Sequence, residues 1–532
     1  MIRINPIELS VHYSKEDLER KILSVLKISP KELIRYEIVR RSLDARKKED
    51  IRYSFMIEAA VSDEKKILKR CKNKCAAPFV PHPYVIPPSG TIPLIHRPVI
   101  IGTGPAGLFC GLILARAGYN PVLLERGEDA DTREKTVRTF WETGILNPES
   151  NVSFGEGGAG TFSDGKLNTL IKDAEGKNRE VLKTFVDFGA DPEILYEQKP
   201  HIGTDQLIKI VTNIRKEIIR LGGSVRFHCR ADALILKNDQ IAGISCIGPK
   251  GKEEISCSVL IAATGHSARD TFYTFRDQGI LMASKSFAVG LRVQHSQRSI
   301  DLSQFGEKEA SFLSPASYKL TAKSCTGRGV YTFCMCPGGY VVNASTEEGL
   351  LAVNGMSYHK RNGRNANSAV IMTVDPSDFP STDPLAGLEF QRQLERAACR
   401  EGNGKIPVQL YEDFKNKKAS VSWGNIEPCF KGETSFADLN RVLPGELCTA
   451  FSEGMESFGR KIKGFADPDV ILAGVESRTS SPIRIFRDDA FQGNIHGFFP
   501  CGEGAGYAGG ITSAAIDGMR VAEAVIRSYR FG

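Results

Sequence analysis

The chain has 532 residues, 41% of them hydrophobic: too long for one core, and apolar enough for two or three domains. No stretch can span a bilayer, the N-terminus has no signal-peptide layout, and 13 scattered cysteines, an odd number, argue against a disulfide framework; these features exclude membrane insertion and predict a cytoplasmic protein with reduced thiols. The net charge of +7 is unevenly placed, because residues 1–75 carry 19 Lys and Arg against 12 Asp and Glu, an excess equal to that of the whole chain.

Residues 1–76 read as a small basic α/β appendage, with a strand over 3–11, an amphipathic helix over 15–26 and an alternating strand over 51–61. Its basic residues, notably Arg40, Arg41, Arg46, Lys47 and Lys48, are either a solvated surface or a site for an anionic partner such as RNA. No aromatic stacking pattern accompanies the charge, which favours the solvated surface. Cys71 and Cys75 have no second pair or histidine cluster beside them, so no metal site is expected. Residues 77–96 hold Pro78, Pro81, Pro83, Pro87 and Pro88 and read as an extended linker lying on the main body.

The most informative segment follows. Val99, Ile100 and Ile101 run into Gly102-Thr103-Gly104-Pro105-Ala106-Gly107, then a helix-forming stretch to Ala117, then Pro121-Val122-Leu123-Leu124 and Glu125. Strand, glycine turn, helix, strand and acid are the layout of a dinucleotide-binding unit. Gly102 permits the turn, Gly104 lets the backbone approach a pyrophosphate, and Gly107 and Gly111 let the helix pack close to the sheet. The helix N-terminus offers N–H groups to phosphates, and Glu125 can accept from a ribose diol. The motif does not choose between NAD and FAD. A second match, Gly155-Glu156-Gly157-Gly158-Ala159-Gly160, lacks a preceding apolar strand and a following helix.

Further on, Thr204 caps a helix over 204–221, and short strands over 231–236, 241–246 and 254–260 form a β-meander leading to Thr264-Gly265. Residues 285–485 mix strands, glycine turns and helices and read as an inserted α+β substrate domain. The end returns to the first fold through Gly502-Glu503 and a helix opened by Gly510, Ile511 and Thr512. The fold class is therefore α/β: a Rossmann-type unit over 97–284 and 486–532, the insertion over 285–485, and the small N-terminal domain.

Assembled, these pieces resemble the FAD-containing flavoproteins of the glutathione-reductase-like superfamily, and most of all the branch of geranylgeranyl reductases, fumarate-reductase flavoproteins and a set of largely uncharacterised FAD-dependent dehydrogenases. The resemblance runs through Arg41–Lys48, Gly157–Leu167, Pro200–Asp205, Gly265–Asp270 and Phe333–Gly339. It implies FAD in the glycine turn, held by Gly102, Gly104, Pro105, Ala106 and Gly107, with Glu125 on the adenosine ribose and Arg126 beside the adenine half. It implies a backbone contact from Ala231 to adenine, and passage of Thr264-Gly265 along the cofactor. Gly502-Glu503 takes the place of the usual Gly-Asp pair on the ribityl chain. Gly510, Ile511 and Thr512 aim a helix N-terminus at the flavin pyrimidine. The loop Gly158-Ala159-Gly160-Thr161 is expected against the isoalloxazine, and Lys166 is either at the flavin edge or a surface lysine. No complete second fingerprint offers a dedicated NAD(P)H domain, so NAD(P)H docks transiently or a carrier protein supplies electrons.

For chemistry, Cys334 and Cys336 are candidate catalytic thiols or a buried strand end; their spacing is tight for a disulfide. His266 is a candidate general acid, with His201 and His295 as rivals. Arg292 and Arg478 are candidate clamps for an anionic substrate or ion-paired structure. The leading reading is an FAD-dependent oxidoreductase moving hydride between flavin N5 and a small-molecule substrate. The alternatives are an RNA-modifying flavoprotein and a non-catalytic flavin-bound sensor.

Overall fold

The computed structural model describes residues 1–71, 74–169, 171 and 175–531. In the N-terminal domain, strands Leu33–Asp44, Arg52–Val61, Ile2–Ser10 and Ala76–Pro78 form an antiparallel sheet in that order, with helices Lys15–Leu26 and Glu64–Cys71. This is a split βαβ arrangement. Ser14 and Asp17 form a reciprocal capping box that starts the first helix, and Leu18, Ile22 and Leu26 bury one stripe against the sheet's apolar face. The strand Leu33–Asp44 escapes a periodicity reading because it is an edge strand studded with charge, including Arg35, Glu37, Arg40 and Arg41.

That edge strand docks the domain onto the body. The Arg41 amide donates to the Tyr196 carbonyl at 2.6 Å, the Gln198 amide donates to the Arg41 carbonyl at 2.9 Å, and the Arg41 side chain pairs with Glu197. Arg3, Arg46, Arg52 and Arg70 likewise pair with Glu58, Asp44, Asp50 and Glu32. The proline-rich segment then crosses the body: the Gly90 amide donates to the Ile526 carbonyl at 2.7 Å, and Ile92–Leu94 pairs in parallel with Tyr529–Phe531.

The central layer is a five-stranded parallel sheet in the order Phe498–Pro500, Leu260–Ala262, Val99–Ile101, Val122–Leu124, Ser224–Arg226. Its central strands are apolar and buried throughout, as helices and a meander covering both faces require. Helices Pro105–Arg116 and Ile511–Ser528 pack against each other on one side. The three-stranded meander Arg230–Lys237, Gln240–Gly248 and Gly251–Ser256 lies on the other. Helix Thr204–Arg220 forms, but Gly203 is its N-cap; the Thr204 hydroxyl instead donates to the Ser163 carbonyl at 2.9 Å, tying the helix to a loop that reaches the site.

Strands Met282–Ser284 and Ile483–Ile485 pair at the neck, where the chain leaves and re-enters this fold. Between them stands a seven-stranded sheet around the buried strand Phe287–Ser296, with helix Gly445–Gly459 on one face. Among the described residues no helix is long and apolar enough to cross a membrane. The fold class read from the sequence is the one found.

Candidate active site

A cavity of about 370 Å³ lies between the parallel sheet and the seven-stranded sheet. At one end is the glycine turn. Gly102 has φ +97°, and a Cβ there would meet the Ala263 carbonyl oxygen at 2.4 Å; a Cβ on Gly107 would sit 2.0 Å from the Gly102 carbonyl oxygen. Gly107 therefore seats the helix on the turn and does not line the cavity, whereas Gly102, Thr103, Gly104, Pro105 and Ala106 do.

Glu125 lines the cavity beside this turn. One carboxylate oxygen accepts from the Thr103 amide (3.0 Å) and hydroxyl (2.6 Å), the other from the amides of Gly127 (3.0 Å) and Gly155 (3.1 Å). Its acceptor sites are thus filled by protein donors. The carboxylate thereby staples the glycine turn to the Gly155 loop while it lines the cavity. Arg126 is also committed, to Glu149 at 2.8 Å and Asp270 at 2.9 Å, over the ring of Phe154.

The second glycine-rich segment makes a 3₁₀ turn over Gly158–Gly160 in place of strand, turn and helix. Gly158, Ala159 and Gly160 line the cavity, with Gly158 against Gly104, but Thr161 turns its hydroxyl to the Glu156 carbonyl and lies outside. Ala231, Thr264 and Gly265 line the wall formed by the meander and the central sheet. Of the returning segment, Glu503, Gly510 and Ile511 line the cavity. Gly502 does not; its amide donates to Asp517 at 2.7 Å, and Asp517 pairs with Arg487. Thr512 is buried, with its hydroxyl on the Leu167 carbonyl at 2.8 Å.

The far end carries the reactive side chains. His266 Nδ1 is 3.3 Å from Glu503 Oε1, and both line the cavity. Lys166 also lines it; its Nζ is buried, 3.5 Å from Asp164, without a hydrogen-bond partner. Burial opposes the Lys166 charge, but Asp164 and the neighbouring thiols outweigh it and push its pKa up. Cys334 lines the cavity, whereas Cys336 is fully buried behind it. A hydrogen bond from Cys336, with the charges of Lys166 and Arg292, overrides burial and holds the Cys334 thiol well below its ordinary range; burial holds Cys336 well above it.

The two candidate clamps are ion-paired. Arg292, fully buried and outside the cavity, donates to Glu476 (2.7 Å), the Cys334 carbonyl (2.8 Å) and Asn354 (2.8 Å). Arg478 lines the cavity but donates to Glu395 at 2.9 and 2.8 Å and to Thr346 at 2.6 Å. The rival histidines are structural. His201 Nε2 meets the His359 carbonyl at 3.0 Å, and His295 Nε2 meets the Phe465 carbonyl at 2.9 Å; burial pushes both down to about 4, with Arg361 adding to the effect at His201. Neither lines the cavity. Asn354, Glu476 and Thr479 are lining residues that the sequence reading missed. Each sits on or beside a strand of the insertion with no motif around it.

The cavity fits an extended dinucleotide. The helices Pro105–Arg116 and Ile511–Ser528 both begin at it on a glycine, Gly104 and Gly510, with no side chain capping their first N–H groups. A Cβ on Gly265, Gly509 or Gly510 would meet nothing within 4 Å, and on Gly104 only the Gly158 Cα at 3.9 Å. The missing side chains leave a backbone cradle along the wall.

Comparison with known proteins agrees with this fit. Residues 97–295 match a family described as an FAD binding domain, and residues 286–479 one described as the C-terminal domain of FAD-dependent proteins. Residues 1–60 match a domain family of unknown function. An uncharacterized protein of Clostridium beijerinckii is 45% identical over 533 residues, 99% of either chain. Among solved structures, a geranylgeranyl bacteriochlorophyll reductase-like protein of Thermoplasma acidophilum is 11% identical, with 80% of this chain and 77% of that one covered and a TM-score of 0.35. The flavin-dependent brominase Bmp2 is 12% identical, with 81% and 78% covered and a TM-score of 0.38.

Proposed function

Because the chain belongs to the family of FAD-dependent proteins, we propose that it is an FAD-dependent oxidoreductase whose substrate meets the flavin at the cavity end lined by His266, Glu503, Lys166 and Cys334. The observation that carries this reading is the pair of uncapped, glycine-initiated helices opening on one cavity.

The bound flavin supplies two-electron transfer, taking or giving a hydride at N5. The protein supplies the rest. The first-turn N–H groups after Gly104 attract the diphosphate, and those after Gly510 favour negative charge on the reduced ring. Gly102, Pro105, Ala106, Gly158, Ala159 and Gly160 let the backbone approach closely. Ala231, Thr264 and Gly265, on the same cavity wall, would hold the cofactor, Ala231 at its adenine half and Thr264 and Gly265 at its middle. Glu503 orients His266, whose other ring nitrogen can hold or deliver a proton to a small-molecule substrate. The second glycine-rich segment closes as a 3₁₀ turn over Gly158–Gly160 and not as a Rossmann helix, and the reductant is either NAD(P)H docking transiently or a carrier protein.

The test is reconstitution followed by anaerobic reduction. The purified protein is expected to hold or take up FAD one to one and to bleach on photoreduction or NAD(P)H addition. A preparation that neither holds nor takes up FAD refutes the reading.

A further inference from the structure

We propose that Cys334 and Cys336 are a second two-electron centre of this cavity: a dithiol that closes to a disulfide and exchanges its electron pair with the bound flavin. The proposal rests on reading the cavity as the flavin site.

The backbone brings the thiols together. The strand Gly329–Cys336 pairs with its neighbour through Phe333↔Ala369 and resumes at Cys336↔Asn367, three steps against two. A flat strand would hold residues two apart at roughly 6.6 Å, the far limit for a disulfide. Here the bulge turns the chain back at Cys334, whose φ is +42°. A non-glycine residue in this region costs on the order of 1–2 kcal/mol and persists only where its surroundings impose it. Those surroundings are visible: Arg292, locked by Glu476, Asn354 and Asn367, grips the Cys334 carbonyl at 2.8 Å. As a result Cys336 Sγ donates to the Cys334 carbonyl oxygen at 3.2 Å, and the two thiols perturb each other's ionisation, Cys334 downward and Cys336 upward.

The pair is asymmetric, as an exchanging dithiol requires. Cys334 faces the cavity, and Cys336 is sealed behind it. Lys166 Nζ, buried on the same cavity and without a hydrogen-bond acceptor, supplies the cation that a thiolate at Cys334 needs. A plain strand end requires neither the left-handed cysteine nor a buried ammonium that is ion-paired with Asp164 at 3.5 Å yet makes no hydrogen bond.

The step balances. The Cys334 thiolate and the Cys336 thiol together lose two electrons and one proton as the Sγ–Sγ bond forms. The electron pair and the proton from Cys336 pass to oxidised flavin. In reverse, the same electron pair and proton return from the reduced flavin, and the disulfide opens to the Cys334 thiolate and the Cys336 thiol.

The holoenzyme, oxidised with ferricyanide and desalted, is titrated anaerobically with dithionite. Four electrons per flavin are expected for the native protein and two for Cys334→Ser and for Cys336→Ser, with flavin bound in all three. In parallel, the oxidised protein is denatured in iodoacetamide and digested; residues 334 and 336 should be unalkylated and linked, and both alkylated after reduction. Two electrons per flavin in the native protein, or alkylation of both cysteines in its oxidised form, overturns the proposal while leaving the flavin reading standing. A protein without flavin overturns that reading and the exchange with it, and the thiol masses then report separately on whether the pair closes. Lys166→Met should slow alkylation of native, reduced Cys334 at neutral pH about tenfold, corresponding to a rise of about one unit in its pKa.

Discussion

Glu125 offers the sharpest quantitative test of how the cofactor loop is held. Its carboxylate accepts four hydrogen bonds, from Thr103 N, Thr103 Oγ1, Gly127 N and Gly155 N, in a buried setting. In Glu125→Gln the amide oxygen can serve one side only. If it faces Thr103, the new NH₂ confronts two backbone N–H groups that previously met a charged acceptor. Each such bond contributes about 1.5–3 kcal/mol, so the loss is roughly 3 kcal/mol at the low end. Because FAD binding requires the Thr103 turn and the Gly155 loop to be ordered together, that cost appears as FAD affinity weakened about a hundredfold. Thr103→Val removes only the 2.6 Å hydroxyl bond and, at the low end of the same range, should weaken affinity about tenfold. The assay is fluorescence quenching of FAD titrated with apoprotein, beside thermal unfolding of the same apoproteins. Equal FAD affinity and equal midpoints for Glu125→Gln and the parent would refute the reasoning, because the four donors would then need no anion.

Three further predictions follow from packing and charge. Gly107→Ala drives a methyl to 2.0 Å from the Gly102 carbonyl oxygen, so the helix must lift; a loss of about 2–3 kcal/mol and of flavin retention is expected on gel filtration. Arg292→Met leaves Glu476 buried without its partner and frees the Cys334 carbonyl; the expected cost is about 3–5 kcal/mol, read from urea unfolding of the holoprotein. The native pKa values of His201 and His295, about 4, lie below the unfolded value near 6.5, so the unfolded chain binds more protons between those limits. Stability should therefore fall as pH drops from about 6.5 to 4, and His295→Gln should flatten that slope when urea midpoints are measured against pH.

Much of the fold was legible because its signals are local. The strand Val99–Ile101, its glycine turn and the following helix are contiguous, and each residue's reason lies within a few positions. The helix Lys15–Leu26 was equally plain, since its apolar stripe lies within 12 consecutive residues. The strand Leu33–Asp44 was not, because its charged residues make sense only once Glu197 and the Tyr196 carbonyl lie opposite. Thr204 shows the same limit at one residue: its position suggested a cap, but the Ser163 carbonyl, distant in sequence, claims its hydroxyl.

At the site, sequence identified the segments but not which side chains face inward. Gly107, Thr161, Gly502, Thr512 and Cys336 sit in the expected segments yet lie outside the cavity, because alternate residues of a packed segment must serve the core. Glu125 is the instructive case. An acid at the end of the second strand shows in sequence only that it can face a cofactor; that it also accepts from three backbone amides at the cavity wall depends on where Thr103, Gly127 and Gly155 lie. The thiol pair inverts the lesson. A two-residue spacing in a straight strand argues against a disulfide, and that argument is sound for a straight strand. This strand is not straight: Arg292, 42 residues away, holds the Cys334 carbonyl at the bend. The feature that makes Cys334 and Cys336 a chemical unit is therefore a tertiary contact, and replacing that arginine should separate the two thiols while leaving the glycine turn at the other end of the cavity undisturbed.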